Sequence, residues 1–269
     1  MEVTTLEKTP RPDELVCKTA RNDYMEEWVG EKSYEDIMGT VEPEEGDRRL
    51  AQRFVEDFDD LDPILVAKTA RLTRKLMESG HFGPFEHPHV TFAVKGVSRI
   101  TMAQLTRHRH VSFDVQSMRY VDFADADPDD LVVDIPEVEE AGLHGRNAGY
   151  DETYTDAGDV DEEWIQIRRT EQYHEAVRDA VSAYKTLLKQ GVAPENARAV
   201  LPIGSKVNMT FTMNLRSLMH VADMRAAGDA QWEVRELTEE LLDTAENWSP
   251  LTMQNYREHL KDRKNRIAP

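Results

Sequence analysis

His89-Val-Thr-Phe-Ala-Val-Lys95 is followed, after Gly96, by Val97-Ser-Arg-Ile-Thr-Met-Ala-Gln-Leu-Thr-Arg-His-Arg109. The first run alternates and is rich in β-branched and aromatic residues, which predicts a strand. The second has apolar positions at Ile100, Ala103 and Leu105 with no Gly or Pro, which predicts a helix to about Arg109. Upstream, Pro84 and Pro88 bracket a turn, Asp62-Pro63 starts a helix running to Ser79, and Gly80 stops it. Leu15-Val-Cys-Lys-Thr-Ala20 reads as the beginning of a strand. Downstream, Ile167, His174, Val177, Val181, Tyr184 and Leu188 recur at three and four, so Asp161 to Gln190 reads as one long helix ended by Gly191 and Pro194. Val207 to Thr212 then reads as a strand, and Leu215 to Ala227 and Ala230 to Asn247 as helices. Strands and helices mix without regular βα alternation. The expected fold is therefore α+β: one domain over 1–269, a mixed or antiparallel sheet flanked by helices, one of them long. Neither G-x-G-x-x-G nor G-x-x-x-x-G-K-[ST] occurs, so any nucleotide must be held without a Rossmann or P-loop turn.

The chain has 269 residues and a formal charge of −19, from 52 Asp plus Glu against 33 Lys plus Arg. Such a charge repels nucleic acid and anionic membrane, and neither is an expected partner. No apolar run is long enough to span a bilayer, and the N-terminus lacks a basic segment followed by an apolar one, so a cytoplasmic protein is expected. Arginine outnumbers lysine 22 to 11, which together with the acid excess resembles proteins adapted to high salt. Residues 122–163 hold 16 acidic residues against Arg146 alone, and an acidic excursion is expected at about 122–160. Two strips reverse the sign. Lys95, Arg99, Arg107, Arg109 and Arg119 stand against Asp114, and Arg198, Lys206, Arg216 and Arg225 against Asp223. Planar guanidinium forks match phosphate and carboxylate, so the two strips together suggest one pocket for a phosphorylated small molecule.

Gln104-Leu-Thr-Arg-His-Arg-His-Val-Ser-Phe-Asp-Val-Gln-Ser-Met-Arg-Tyr120 carries the densest polar function. On a helix Gln104, Arg107 and His108 would share a face, with Arg109 and Arg119 flanking a polar turn. Arg107-His108-Arg109, then seven residues, then Ser117 resembles the R-H-R-x7-S signature of flavin-dependent thymidylate synthases. Pro84-Phe-Glu-His87 resembles that family's P-F-E-H element. Asn214-Leu-Arg-Ser-Leu-Met219, then Arg225, then Ala230-Gln-Trp-Glu233, resembles its N-x-R-S-L-M…R…A-Q-W-E stretch. Gly83, His220 and Asp229 stand where the family commonly has Thr, Asn and His, and Asp114-Val115 precedes Gln116 where it often has Asn followed by Glu or Gln.

The resemblance implies a homotetramer with sites shared between subunits, making dTMP from dUMP with FAD, methylenetetrahydrofolate and NADPH. It assigns Glu86, Arg107, His108, Arg109, Asn214, Arg216 and His220 to the flavin. To dUMP it assigns Gln104, Arg107, Gln116, Ser117, Met118, Arg119 and Arg198, with Arg225 as the catalytic residue that polarises the uracil ring.

Chemistry independently favours a flavin. Methylating C5 of uracil otherwise uses a Cys nucleophile, and Cys17, the single cysteine, sits among apolar residues. One cysteine also excludes an internal disulfide. A reading from another class takes His87, His89, His108 and His110 with Glu86 as ligands of a metal-dependent hydrolase. A third is a noncatalytic nucleotide-binding oligomer. No metal is assigned in the favoured reading.

Overall fold

β2 (His89–Ser98) and β4 (Lys206–Asn214) form the middle of a four-stranded sheet of order β1-β2-β4-β3, with β1 (Glu2–Lys8) and β3 (Ser112–Val115) at its edges. β1 runs antiparallel to β2, pairing Val3 with Val94 and Thr5 with Phe92. Val90, Phe92 and Val94 of β2 are buried, as are Val207, Met209, Phe211 and Met213 of β4, which is the period-two burial that the sequence alternation demands. Phe211 lies 5.8 Å from Phe92 and 5.7 Å from Phe113 between ring centroids.

This computed structural model describes residues 1–58, 61–120, 123, 125–136 and 162–261. The helices are α1 (Pro12–Asn22), α2 (Tyr34–Ile37), α3 (Glu45–Phe54), α4 (Pro63–Glu78), α5 (Arg99–Leu105) and α6 (Pro128–Leu131). They continue with α7 (Glu162–Lys189), α8 (Pro194–Ala197), α9 (Leu215–Arg225), α10 (Trp232–Glu246) and α11 (Pro250–His259). Much of the expected acidic excursion at 122–160 lies outside the described residues. None of the described helices is long and apolar enough to cross a membrane.

Backbone contacts divide the chain into two compact units. Met1–Lys95, Ala103–Asp114 and Met209–Pro269 make the first, and Gly96–Met102 with Val115–Asn208 the second. In the first, α3, α4 and α11 bury Leu50, Val66, Ala70 and Leu251 together, while Cys17, Tyr34, Ile37, Met38 and Leu65 form a neighbouring cluster. In the second, α7 buries Val177 and Val181 against Leu131 and Val132.

Helix punctuation follows the expected chemistry. Asp62 caps α4 by accepting from the Ile64 N–H at 2.7 Å, with Pro63 at the first helical position. Gly80, at φ 73°, ends it, and the His81 N–H then returns to the Leu76 carbonyl at 2.8 Å. Gly191, at φ 85°, ends α7 in the same way.

Two expectations are corrected. Leu15–Ala20 belongs to α1, not to a strand. Val16, Cys17 and Ala20 are buried at helical spacing, and Pro12 with Asp13 and Glu14 in the first turn were the start signal. The segment from Val97 is also not a helix to Arg109. β2 continues to Ser98, and α5 starts at Arg99 and ends at Leu105. Arg107, His108 and Arg109 therefore lie on a tight turn, closed by bonds from the His108 N–H to the Leu105 carbonyl and from the Val111 N–H to the His108 carbonyl. They do not share a helical face with Gln104.

Candidate functional site

The first unit contains a cavity of about 650 Å³, within the range of ordinary ligand sites. Its walls come from the turn Arg107–Val111, from Glu86 in the short turn before β2, and from Asn214, Arg216, Ser217, His220, Met224 and Arg225. Between the end of α5 at Leu105 and the start of β3 at Ser112 only residues 106–111 remain, and the backbone bonds of His108 and Val111 fold them into turns. Asn214 accepts from the Ser217 N–H at 2.8 Å and so caps α9. The cap fixes the start of the helix, and the four-residue spacing of Arg216, His220 and Met224 then presents one side chain per turn to the cavity.

The charge of this wall is almost all of one sign. Glu86 is its carboxylate, and it pairs with Arg216. Among the described residues Arg107, Arg109 and Arg225 make no ion pair with a carboxylate. Arg225 donates through Nε to His108 Nε2 at 3.1 Å and through Nη2 to the Gln104 carbonyl at 3.1 Å. Burial and the nearby Arg107 pull its pKa below the usual guanidinium value. His108 is 7% exposed, meets His220 edge-on at 5.6 Å, and is lowered to about 4 by burial and by the charges of Arg225, His220 and Arg107. The site is therefore cationic, with a neutral imidazole inside it, and suits a polyanionic ligand with an aromatic part.

The flavin residues implied by the sequence all line this cavity: Glu86, Arg107, His108, Arg109, Asn214, Arg216 and His220, together with the catalytic candidate Arg225. Gln104 meets Arg225 through its backbone carbonyl. Gln116, Ser117, Met118, Arg119 and Arg198 belong to the second unit. There Gln116 bonds the Asn208 backbone through its own N–H at 2.8 Å and through its side-chain oxygen at 3.3 Å. Met118 is buried, and its sulfur accepts from Arg99 at 3.3 Å. Ser117 accepts from the Arg119 N–H at 3.2 Å. Arg119 pairs with Glu195 at 2.5 Å, and Arg198 donates to the Glu195 carbonyl at 3.0 Å. Reading by motif passed over Val111, Ser217 and Met224 as cavity walls. The α9 spacing from Arg216 would have found Met224.

The metal-hydrolase reading finds no ligand set. Glu86 is engaged by Arg216, and His89 Nδ1 lies 2.8 Å from the His87 carbonyl oxygen. Among the described residues no group of three or more His, Cys, Asp or Glu could hold a metal ion.

The model of the family described as thymidylate synthase complementing protein matches residues 4–251. The chain belongs to the flavin-dependent thymidylate synthase family. The flavin-dependent thymidylate synthase of Halobacterium salinarum is 49% identical over 274 residues, and that of Haloarcula marismortui 48%, each alignment covering 100% of both chains. In solved structures, the UMP/dUMP methylase PolB of Streptomyces cacaoi bound with 5-Br dUMP superposes with a TM-score of 0.69. It is 23% identical and covers 100% of this chain and 97% of its own, a likeness of fold. As a member of this methyltransferase family the chain is an enzyme that converts dUMP to dTMP, which removes the noncatalytic reading.

Proposed function

We propose that this family member works with FAD as bound cofactor, methylenetetrahydrofolate as one-carbon donor and NADPH as reductant, as a cytoplasmic homotetramer with sites shared between subunits. The observation that carries the reading is a cavity whose Arg107, Arg109 and Arg225 have no carboxylate partner among the described residues of a chain of charge −19. Cations kept free of abundant internal carboxylates are available to an anionic ligand.

Arg107, His108, Arg109, Asn214, Arg216, His220 and Glu86 would hold the flavin, the arginines facing its phosphates. When bound and reduced, it supplies the hydride. Gln104, Gln116, Ser117, Met118, Arg119 and Arg198 bind dUMP, with Arg107 reaching both ligands. Arg225 stabilises the negative charge that develops on the uracil ring, a fixed cation in a partly dehydrated site being far more effective than the same cation in water. The Cys17 thiol takes no part, because it is fully buried and burial pushes its pKa up. The acid excess, with Arg favoured over Lys, adapts the surface to high salt. Two measurements on the purified protein test the whole: a visible flavin spectrum, and dTMP formation that requires dUMP, methylenetetrahydrofolate and NADPH together. A colourless protein that forms no dTMP when FAD is added back would overturn the reading.

A further inference from the structure

We propose that His108 is the positioning residue for Arg225, a neutral acceptor that fixes the direction of the guanidinium without cancelling its charge. The proposal rests on the reading of Arg225 as the group that acts on the uracil ring. Arg225 stands in the last turn of α9, where an arginine can turn back to hydrogen-bond its own helix's final carbonyls. Here it is drawn aside instead. Nε donates to His108 Nε2 and Nη2 to the Gln104 carbonyl, each at 3.1 Å. These two bonds use the side-on edge of the guanidinium and leave the end-on Nη1/Nη2 fork for a ligand.

Both acceptors are uncharged. That is unusual in a chain with 52 carboxylates, where a guanidinium could readily meet one. A carboxylate at His108 would orient Arg225 as well, but it would neutralise the charge needed when negative charge grows on the substrate. An imidazole accepting at Nε2 carries its proton on Nδ1 and contributes no net charge.

The surroundings keep the ring in that form. It faces Arg225 and His220 from α9 and Arg107 from its own turn, while Arg109 and His110 line the same cavity. A protonated ring would turn an N–H toward the Arg225 N–H and place two cations in contact. Burial first, then Arg225, His220 and Arg107, hold its pKa near 4, so the acceptor persists at working pH.

The test compares His108→Ala, His108→Gln and His108→Glu with Arg225→Ala, each saturated with added FAD, with bound flavin read from the visible spectrum. Kcat and KM for dUMP are then measured. His108→Ala is expected to lose about 100-fold in kcat, the cost of a misplaced catalytic group, with KM for dUMP changed far less. His108→Gln, a neutral acceptor of similar reach, is expected to recover at least about ten-fold of that loss, and His108→Glu is expected to stay near Ala because it cancels the charge. Equal kcat for the Gln and Glu variants overturns the proposal, and so does a flavin-loaded Ala variant with parent kcat. Should the Ala variant fail to hold flavin, the Gln and Glu pair alone decides. Parent-like turnover by Arg225→Ala would instead overturn the reading on which the proposal rests, whatever the His108 variants do.

Discussion

Arg74 and Arg225 carry the same guanidinium into opposite surroundings within one unit of the chain. Arg74, on α4, meets Asp47 at 2.9 Å, Glu44 at 2.9 Å and Glu78 at 3.1 Å, and these carboxylates, Asp47 foremost, raise its pKa. Asp47 is 2% exposed, so the network ties α3 to α4 through a buried charge that must stay paired. Arg257 on α11 is similarly surrounded by Asp243 and Glu246. Arg225 has a histidine and a backbone carbonyl in place of carboxylates, and its pKa falls. Of these two, Arg74 is committed to the architecture, whereas Arg225, held by neutral acceptors, keeps its charge available to something that arrives from outside.

The largest expected effect lies on the Arg225 side. Arg225→Ala should retain part of its flavin and dUMP binding and lose about 100- to 1,000-fold in turnover, the range for removing one preorganised charge-stabilising donor. Arg225→Lys should also be poor, since an ammonium lacks the planar fork. Steady-state dTMP formation checks both, and near-parent rates would erase the distinction between the two arginines.

On the other side, Arg74→Ala should cost about 3 kcal/mol of stability by stranding the buried Asp47 carboxylate. The folded fraction should keep its turnover. Denaturant unfolding alongside kcat gives both quantities, and a variant that is stable but inactive would reverse the roles argued here.

Salt should separate the regions more gently. Screening relieves the self-repulsion of a chain at −19 and steadies any assembly of such chains, but it weakens the attraction of the cavity for phosphates. Activity should rise, pass through a maximum and fall along a potassium chloride series, the rising limb following assembly seen by sedimentation. Full activity and constant mass down to millimolar salt would show that the acidic surface is not a salt adaptation.

Acid should act through His108, whose folded pKa lies near 4, below the ordinary histidine value. Between those two values the unfolded chain binds the proton and the folded chain does not, so acidification through that window favours unfolding. His108→Gln removes this linkage. The fall in Tm between about pH 7 and pH 5 should therefore be smaller for His108→Gln than for the parent. An identical fall in both proteins would place the ordinary histidine pKa inside the cavity.

The smallest effect is expected at Cys17, which is fully buried with a thiol pKa pushed up by burial. Cys17→Ala should leave dTMP formation within a few-fold of the parent. Complete loss in a folded, yellow variant would return the chemistry to a thiolate nucleophile.

Reading the sequence located the cavity residues well and their backbone setting poorly. The run Arg107-His108-Arg109 was legible as a motif, yet its placement on a helix was wrong because no Gly or Pro marks the end at Leu105. What ends α5 there is the entry of the chain into β3, a long-range pairing that local propensity does not report. The α1 segment was misread for the converse reason. A short apolar run fits strand or helix, and its burial at helical spacing comes from packing against α2 and α4. Asp13 illustrates the same limit. It looks like an ordinary acidic first-turn residue, but it is buried and accepts from Ser249 and Thr252 at the start of α11, capping a helix more than two hundred positions away.

By itself the sequence determined the family, the α+β composition, the long helix, the caps at Asp62, Gly80 and Gly191, and the two cationic strips. Motif, periodicity and capping are local, and a local pattern is written directly in neighbouring residues. Only the tertiary structure decided the order β1-β2-β4-β3, the turn that carries His108, and the meeting of Arg225 with His108 and Gln104. Those depend on which distant segments pack together, and that is set by burial summed over the whole core.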